Sequence, residues 1–168
     1  MKKIWLLSLA AVLLSSCEKD DICEGGESET PNVIISLYDN FETEKLKPVD
    51  KVSLTANGFN ETIVFKNRSK IEVPLQINKQ ETTWEITLYV YDPTAENDTI
   101  IKKNQLRFLY NTEEFYVSKA CGYKVNFYDF GASVLPSEDP NYAPWVQSIS
   151  KLTNEITNEN NAHIYLFY

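Results

Sequence analysis

A single imidazole limits what this chain can catalyse. His163 is the sole histidine among 168 residues, so a His-x-x-x-His zinc site or any other multi-histidine centre is out of reach. A serine triad would have to recruit it, and no Gly-x-Ser-x-Gly elbow is there to present the serine. His163 lies beside a terminal strand, where a surface or cross-strand role is the ordinary expectation. A thiol–imidazole dyad with Cys121 is chemically allowed, but Cys121 has a simpler use, given below. No glycine loop suited to phosphate occurs. Carboxylates are the remaining catalytic chemistry, because glycoside hydrolysis needs only two at a set separation. Asp39, Glu113, Glu114, Asp129 and Glu138 qualify by type, and none is distinguished by its neighbours. The acidic run Asp92, Glu96, Asn97 and Asp98 offers oxygen ligands for calcium without the spacing of a known loop, and reads as a solvated connection. Tyr89, Tyr91, Tyr116, Tyr128 and Trp145 would make a sugar or peptide platform if several lay exposed together, although core and cross-strand packing is the commoner use. No catalytic residue, metal ligand or cofactor is therefore assigned.

The N-terminal residues carry a different chemistry. Lys2 and Lys3 precede an apolar run from Ile4 to Leu14, interrupted only by Ser8, and Leu14-Ser15-Ser16-Cys17 closes it with small residues. That order is a secretory signal over residues 1–16 followed by a cleavage site, and the run is short for a bilayer span. No other stretch approaches the roughly 18 apolar residues that spanning requires. The cysteine at the cut resembles the lipobox of bacterial lipoproteins, in which the thiol is acylated and the chain is cut just before it. The resemblance implies that Cys17 carries several acyl chains and makes the membrane a partner through lipid. Each buried CH₂ contributes about 0.8 kcal/mol, so one chain binds marginally and several bind stably. With Cys17 assigned to lipid, Cys23 and Cys121 remain, and an even remainder in an exported chain suggests one disulfide. Two buried free thiols are the alternative. A bridge would close a loop of 98 residues, which the chain-entropy account values at roughly 4–5 kcal/mol as an upper estimate.

Composition bounds the rest. Removal of residues 1–16 leaves a chain of ordinary single-domain size, long enough to bury a core. The formal net charge is −8 and becomes more negative once Lys2 and Lys3 leave, which argues against nucleic acid as a partner. Ten Tyr and eight Phe stand beside many Val, Ile and Thr, with only five Gly, a composition suited to pleated, half-buried strands.

Those strands can be read along the chain. Residues 17–31 form an acidic tether closed by Pro31, and residues 32–168 one β-rich domain. Val33, Ile35 and Leu37 alternate with Ile34, Ser36 and Tyr38. Val52, Leu54 and Ala56 form a run that Asn57-Gly58 would turn into Ile63-Val64-Phe65. Ile71, Val73, Leu75 and Ile77 share one face, and Pro74 among them marks an edge or a bulge. Trp84, Ile86, Leu88 and Val90 point inward until Asp92-Pro93 ends the run. Ile100-Ile101, then Leu106, Phe108 and Tyr110, lead to Asn111-Thr112-Glu113, expected to turn the chain into Phe115-Tyr116-Val117. Cys121, Tyr123, Val125 and Phe127 alternate next, and Ile164, Leu166 and Tyr168 close the chain as a strand. Trp145, Ile149, Leu152 and Ile156 recur instead at helical spacing, and Pro144 suits a first turn. The expected architecture is mainly β, an antiparallel sandwich of immunoglobulin-like or barrel-like form, with one short α-helix from about Ala143 to Thr157 packed on it.

Several motifs together carry a family resemblance. They are Asp21-Ile22-Cys23 with Thr30-Pro31, Ile34-Ile35-Ser36-Leu37-Tyr38-Asp39, Phe115-Tyr116-Val117-Ser118-Lys119-Ala120-Cys121-Gly122-Tyr123, and Asn158-Glu159-Asn160 with Ala162-His163-Ile164. They resemble a domain-of-unknown-function family of small outer-membrane lipoproteins from Bacteroidota-type bacteria, which brings no activity with it. Glu18-Lys19-Asp20-Asp21 is similar to the charged signal that sends such lipoproteins to the outward face of the outer membrane; a generic polar tether is the plain alternative. Asp98-Thr99-Ile100 is similar to the short O-glycosylation motif of the same bacteria, with Thr99 as the acceptor. The sequons at Asn60, Asn67 and Asn97 are eukaryotic-type signals without force in that setting. The expectation is a lipid-anchored protein of the cell envelope acting as a non-catalytic binding or accessory-interaction module. A carboxylate-dependent envelope glycan hydrolase and a structural subunit of an envelope complex are the other readings.

Overall fold

The computed structural model describes Cys23, residues 29–56 and residues 61–168. Cys17, the Glu18–Asp21 run and the expected Asn57-Gly58 turn lie outside the described residues, as does most of the tether. Among the described residues nine strands follow one another: β1 (Val33–Tyr38), β2 (Val49–Ala56), β3 (Thr62–Arg68), β4 (Lys70–Val73), β5 (Glu81–Tyr91), β6 (Thr99–Ser118), β7 (Gly122–Pro136), β8 (Ser148–Lys151) and β9 (Ile164–Phe167).

They form two sheets, a four-stranded one in the order β4-β1-β9-β8 and a five-stranded one in the order β3-β2-β5-β6-β7. Their inner faces meet in one core. Val33, Ile35 and Leu37 of β1, with Ile164 and Leu166 of β9, belong to the same cluster as Val52 and Leu54 of β2, Ile86 of β5, Leu106 and Phe108 of β6, and Phe127 and Phe130 of β7. The period-two alternation read from the sequence is what aims these side chains inward. All pairings are antiparallel except one: β1 runs parallel to β9, from Ile35 opposite Ile164 to Tyr38 opposite Phe167.

The edge assignment of Pro74 holds in a specific way. β4 is the edge of its sheet and stops at Val73, one residue before the proline. Leu75 still reaches the core, but Ile77 is 55% exposed rather than inward. Val90 also departs from expectation, at 37% exposed. Its partner across the β5–β6 ladder, Ile100, is likewise 38% exposed.

The turn expected at Asn111–Glu113 does not form. β6 runs through it for 20 residues, with Asn111 opposite Tyr128 and Glu113 opposite Asn126. What the polar triplet marks is a break in register between Leu109 and Asn111. Asp129 takes up the extra residue at φ 51°, in the left-handed region that Asn and Asp tolerate, and Asn111 Nδ2 donates to Asp129 Oδ2 at 2.8 Å across the break.

The C-terminal helix is absent as well; no α-helix occurs among the described residues. Residues 143–147 give their backbone groups to distant partners. Ala143 O accepts from Lys103 N at 3.0 Å, and Gln147 N donates to Phe167 O at 2.9 Å. The buried Asn104 accepts from the N–H groups of Trp145 (2.8 Å) and Val146 (3.0 Å) through Oδ1. In a helix the Gln147 N–H would donate to Ala143 O, and both of those groups are bonded elsewhere. Trp145 and Ile156 are buried and Ile149 packs on the core from β8, but Leu152 is 45% exposed, so the four do not make one helical face. Ser, Thr, Asn and β-branched residues fill the segment and give it little intrinsic helical preference.

Candidate functional site

The carboxylates proposed for acid–base work are dispersed. Asp39 follows β1 and organises the turn after it: its Oδ1 accepts from Phe41 N (2.8 Å) and Glu42 N (3.1 Å), and its Oδ2 meets Lys47 Nζ at 3.0 Å. The N–H of Phe41, then that of Glu42, then Lys47 hold its pKa down, to about 2. Such a group is a fixed acceptor, not a proton donor at neutral pH. Glu113 and Glu114 are exposed on β6, Asp129 is exposed at the bulge of β7, and Glu138 is exposed beyond the end of β7. No buried pair in a cleft results.

Other acidic groups are held in ion pairs. Glu81 takes a two-pronged contact from Arg107 at 2.9 and 2.7 Å, which lowers its pKa. Glu85 meets Lys103 at 2.8 Å and accepts from Ser137 Oγ at 3.1 Å. Asp92 is used locally: its Oδ1 accepts from Thr94 N at 2.8 Å and Thr94 Oγ1 at 2.7 Å, and these bonds lower its pKa. It thereby shapes the β5–β6 turn, in which Asn97 and Asp98 adopt positive φ. Among the described residues no three His, Cys, Asp or Glu gather as metal ligands. Thr99 is half-buried as the first residue of β6, opposite Tyr91.

His163 is buried rather than superficial. Its Nδ1 accepts from Ile34 N at 2.9 Å, and its own N–H donates to Ile34 O at 2.8 Å. Burial pushes its pKa down, opposed in part by a backbone partner at Asn158. A nitrogen that must accept from an amide is committed to the neutral imidazole, so His163 is a structural acceptor that ties β1 to the segment entering β9. It is thus bound to Ile34, while Cys121 is bonded elsewhere.

Cys121 stands in the turn between β6 and β7, joined to Cys23 with Cα atoms 5.0 Å apart. Just beyond, Thr30 Oγ1 accepts from Val125 N at 2.9 Å, and Asn32 gives both its backbone N–H (2.7 Å) and its Nδ2 (2.8 Å) to Glu159 Oε1. The N-terminal segment is therefore fastened to the body at three successive places.

The five aromatics do not assemble. Trp145 is buried, edge-on to Tyr168 at 5.3 Å. Tyr89 is half-buried, shares a hydrogen bond with Ser53 Oγ at 3.3 Å and lies under Lys51. Tyr91 is exposed at the far end of the β5–β6 hairpin, and Tyr128 is half-buried on β7. Tyr116 does find an aromatic neighbour, but one outside that set: Tyr123, directly opposite on β7, with centroids 5.4 Å apart and both rings more than 60% exposed. Their symmetric placement around the Ser118–Gly122 turn was the available signal, concealed by the expected turn at Asn111.

One cleft has an apolar wall. It encloses about 470 Å³ between Ala56, Glu61, Thr62, Ile63, Gln76, Thr82 and Trp84. Trp84 is fixed there by its Nε1–H to Pro74 O at 2.9 Å. Behind it the Tyr110 hydroxyl bonds to Thr82 Oγ1 and donates to Gln76 O. A rigid tryptophan beside amide and hydroxyl groups, with the single carboxylate of Glu61 at the edge, can hold a ligand.

Neither a curated protein nor a solved structure matches the chain. A family profile does match, over residues 51–168, beginning within β2 and running through β9. With that share of its length covered, the chain belongs to a family of unknown function, DUF6452.

Proposed function

We propose that this is a lipid-anchored protein of the cell envelope, held through Cys17, whose β domain is a non-catalytic binding or accessory-interaction module at the outer membrane. The observation that carries the reading is the engagement of the chain's reactive groups. Asp39 is committed to two amides and Lys47, Glu81 to Arg107, Glu85 to Lys103 and His163 to Ile34. The remaining candidate carboxylates are exposed and scattered, whereas the Trp84 cleft offers a preformed surface. The two sheets serve, in this reading, as an immunoglobulin-like or barrel-like scaffold, and Glu18-Lys19-Asp20-Asp21 as the signal for outward display.

Crosslinking in native membranes followed by recovery of the full chain tests the binding role. A partner that is captured by the wild type and lost with Trp84→Ala supports it, and recovery of no partner sinks it. Membrane fractionation with metabolic labelling by an alkyne fatty acid tests the anchor: Cys17→Ser is expected to lose both label and sedimentation, and retention of both would refute lipidation. Protease treatment of intact cells tests display, because full protection would place the domain inside.

A further inference from the structure

The disulfide determines which part of the domain lies closest to the lipid. Five residues lie between Cys17 and Cys23, so the six Cα-to-Cα steps span at most about 21 Å even when fully extended. Cys23 is bonded to Cys121, in the turn that joins β6 to β7. With the Cα atoms of the bridge 5.0 Å apart, that turn is therefore held within about 26 Å of the acylated residue. The opposite end of the same long strand is elsewhere. Thr99, where β6 begins, and Tyr116, near its end, are separated by roughly 55 Å at the rise of a strand.

The tethered end carries two large amphipathic side chains in solvent. Tyr116 is 61% and Tyr123 68% exposed, stacked edge to face across the hairpin. Lys119, between them in the turn, is also exposed. Tyrosine rings with a wet hydroxyl, beside a long basic side chain, suit the headgroup level of a bilayer, where an apolar ring body and a polar tip are both satisfied. We propose that the β6–β7 tip, through Tyr116, Tyr123 and Lys119, rests in the phospholipid headgroup region and orients the domain on the membrane. The proposal rests on the reading of Cys17 as the lipid anchor.

Full-length, lipid-modified protein carrying Tyr116→Trp tests it on phosphatidylcholine–phosphatidylethanolamine vesicles containing acyl-brominated phosphatidylcholine. Tyr91→Trp at the distant hairpin end, 70% exposed, is the internal control. Signals are taken as differences from wild type, which subtracts Trp84 and Trp145. The expected result is that the tryptophan at position 116 is quenched by brominated lipid and loses quenching by aqueous iodide when vesicles are added, while the one at position 91 changes in neither respect. If the protein sediments with vesicles and position 116 stays as open to iodide as position 91, the tip contact is wrong and the anchor stands. If the protein fails to sediment, the anchor and the tip contact fall together.

Discussion

Asn104→Ala is expected to be among the costliest single changes in this domain, although the residue touches no ligand. Asn104 is 3% exposed; its Oδ1 receives the N–H groups of Trp145 and Val146, and its Nδ2 donates to Leu135 O at 3.2 Å. Truncation leaves two buried amide donors without an acceptor. Each orphaned group costs about 1–3 kcal/mol. Leu135 is 39% exposed, so water can replace the third bond and it adds little. The sum is about 2–6 kcal/mol, taken from a total that for a domain of this size is about 5–15 kcal/mol. With a urea m-value of about 2 kcal/mol/M, the midpoint should fall by about 2 M. Equilibrium urea unfolding followed by tryptophan fluorescence measures it. Hydrogen exchange adds a local readout, because the Trp145 and Val146 amides should lose protection while those of β1 keep theirs. Asn104→Asp retains the acceptor but buries a carboxylate with one oxygen against Leu135 O, so it should recover only part of the loss. An Asn104→Ala protein within 1 kcal/mol of wild type, with those two amides still protected, would refute the reasoning.

Three further outcomes follow from the same bonds. Cys121→Ser, or reductant on the wild type, should lower thermal stability by an amount bounded at about 4–5 kcal/mol by the 98-residue loop; two thiols open to alkylation without reductant would contradict the bridge. His163 binds its proton less readily when folded than when unfolded, because burial lowers its pKa. The unfolded state therefore holds more protons below about pH 6.5, and stability should decline as pH falls through that range; His163→Gln should abolish this slope, and an unchanged slope would point to another group. Asp39 is held near a pKa of about 2 by two amides and Lys47, so its contribution is present above the ordinary carboxylate pKa and is lost between about pH 4 and pH 2; acid titration of Asp39→Asn should lack that limb.

Much of the fold was legible because strand periodicity is a local signal. β1, β4, β7 and β9 follow the alternation of Val33-Ile35-Leu37, Ile71-Val73, Val125-Phe127 and Ile164-Leu166. Two errors share one cause, the override of a local pattern by a distant partner. Trp145, Ile149, Leu152 and Ile156 have helical spacing, but Lys103 and Phe167 take the Ala143 carbonyl and the Gln147 N–H that would pair in a helix, while Asn104 holds the Trp145 and Val146 amides. Asn111-Thr112-Glu113 has turn composition, yet β7 supplies a ladder and the polar residues accommodate a bulge. The candidate site was less legible. Five carboxylates and five aromatics were selected by type, and only the three-dimensional pairing shows that Asp39 is consumed by its own turn and that Tyr116 belongs with Tyr123. His163 followed the same logic: its sequence neighbours are ordinary, and its partner Ile34 lies 129 residues away.

The parallel pairing of β1 with β9 also sets the order of events when the chain is born. β1 lies between β4 and β9, so one of its two edges is completed only by residues Ile164–Phe167, 129 positions further along the chain. Until they arrive, the Ile35-to-Tyr38 edge has no neighbour and the core lacks Ile164 and Leu166. Closing so distant a contact is slow compared with forming hairpins. The four-stranded sheet therefore seals after the hairpins have formed, a built-in delay between making the local ladders and closing the core.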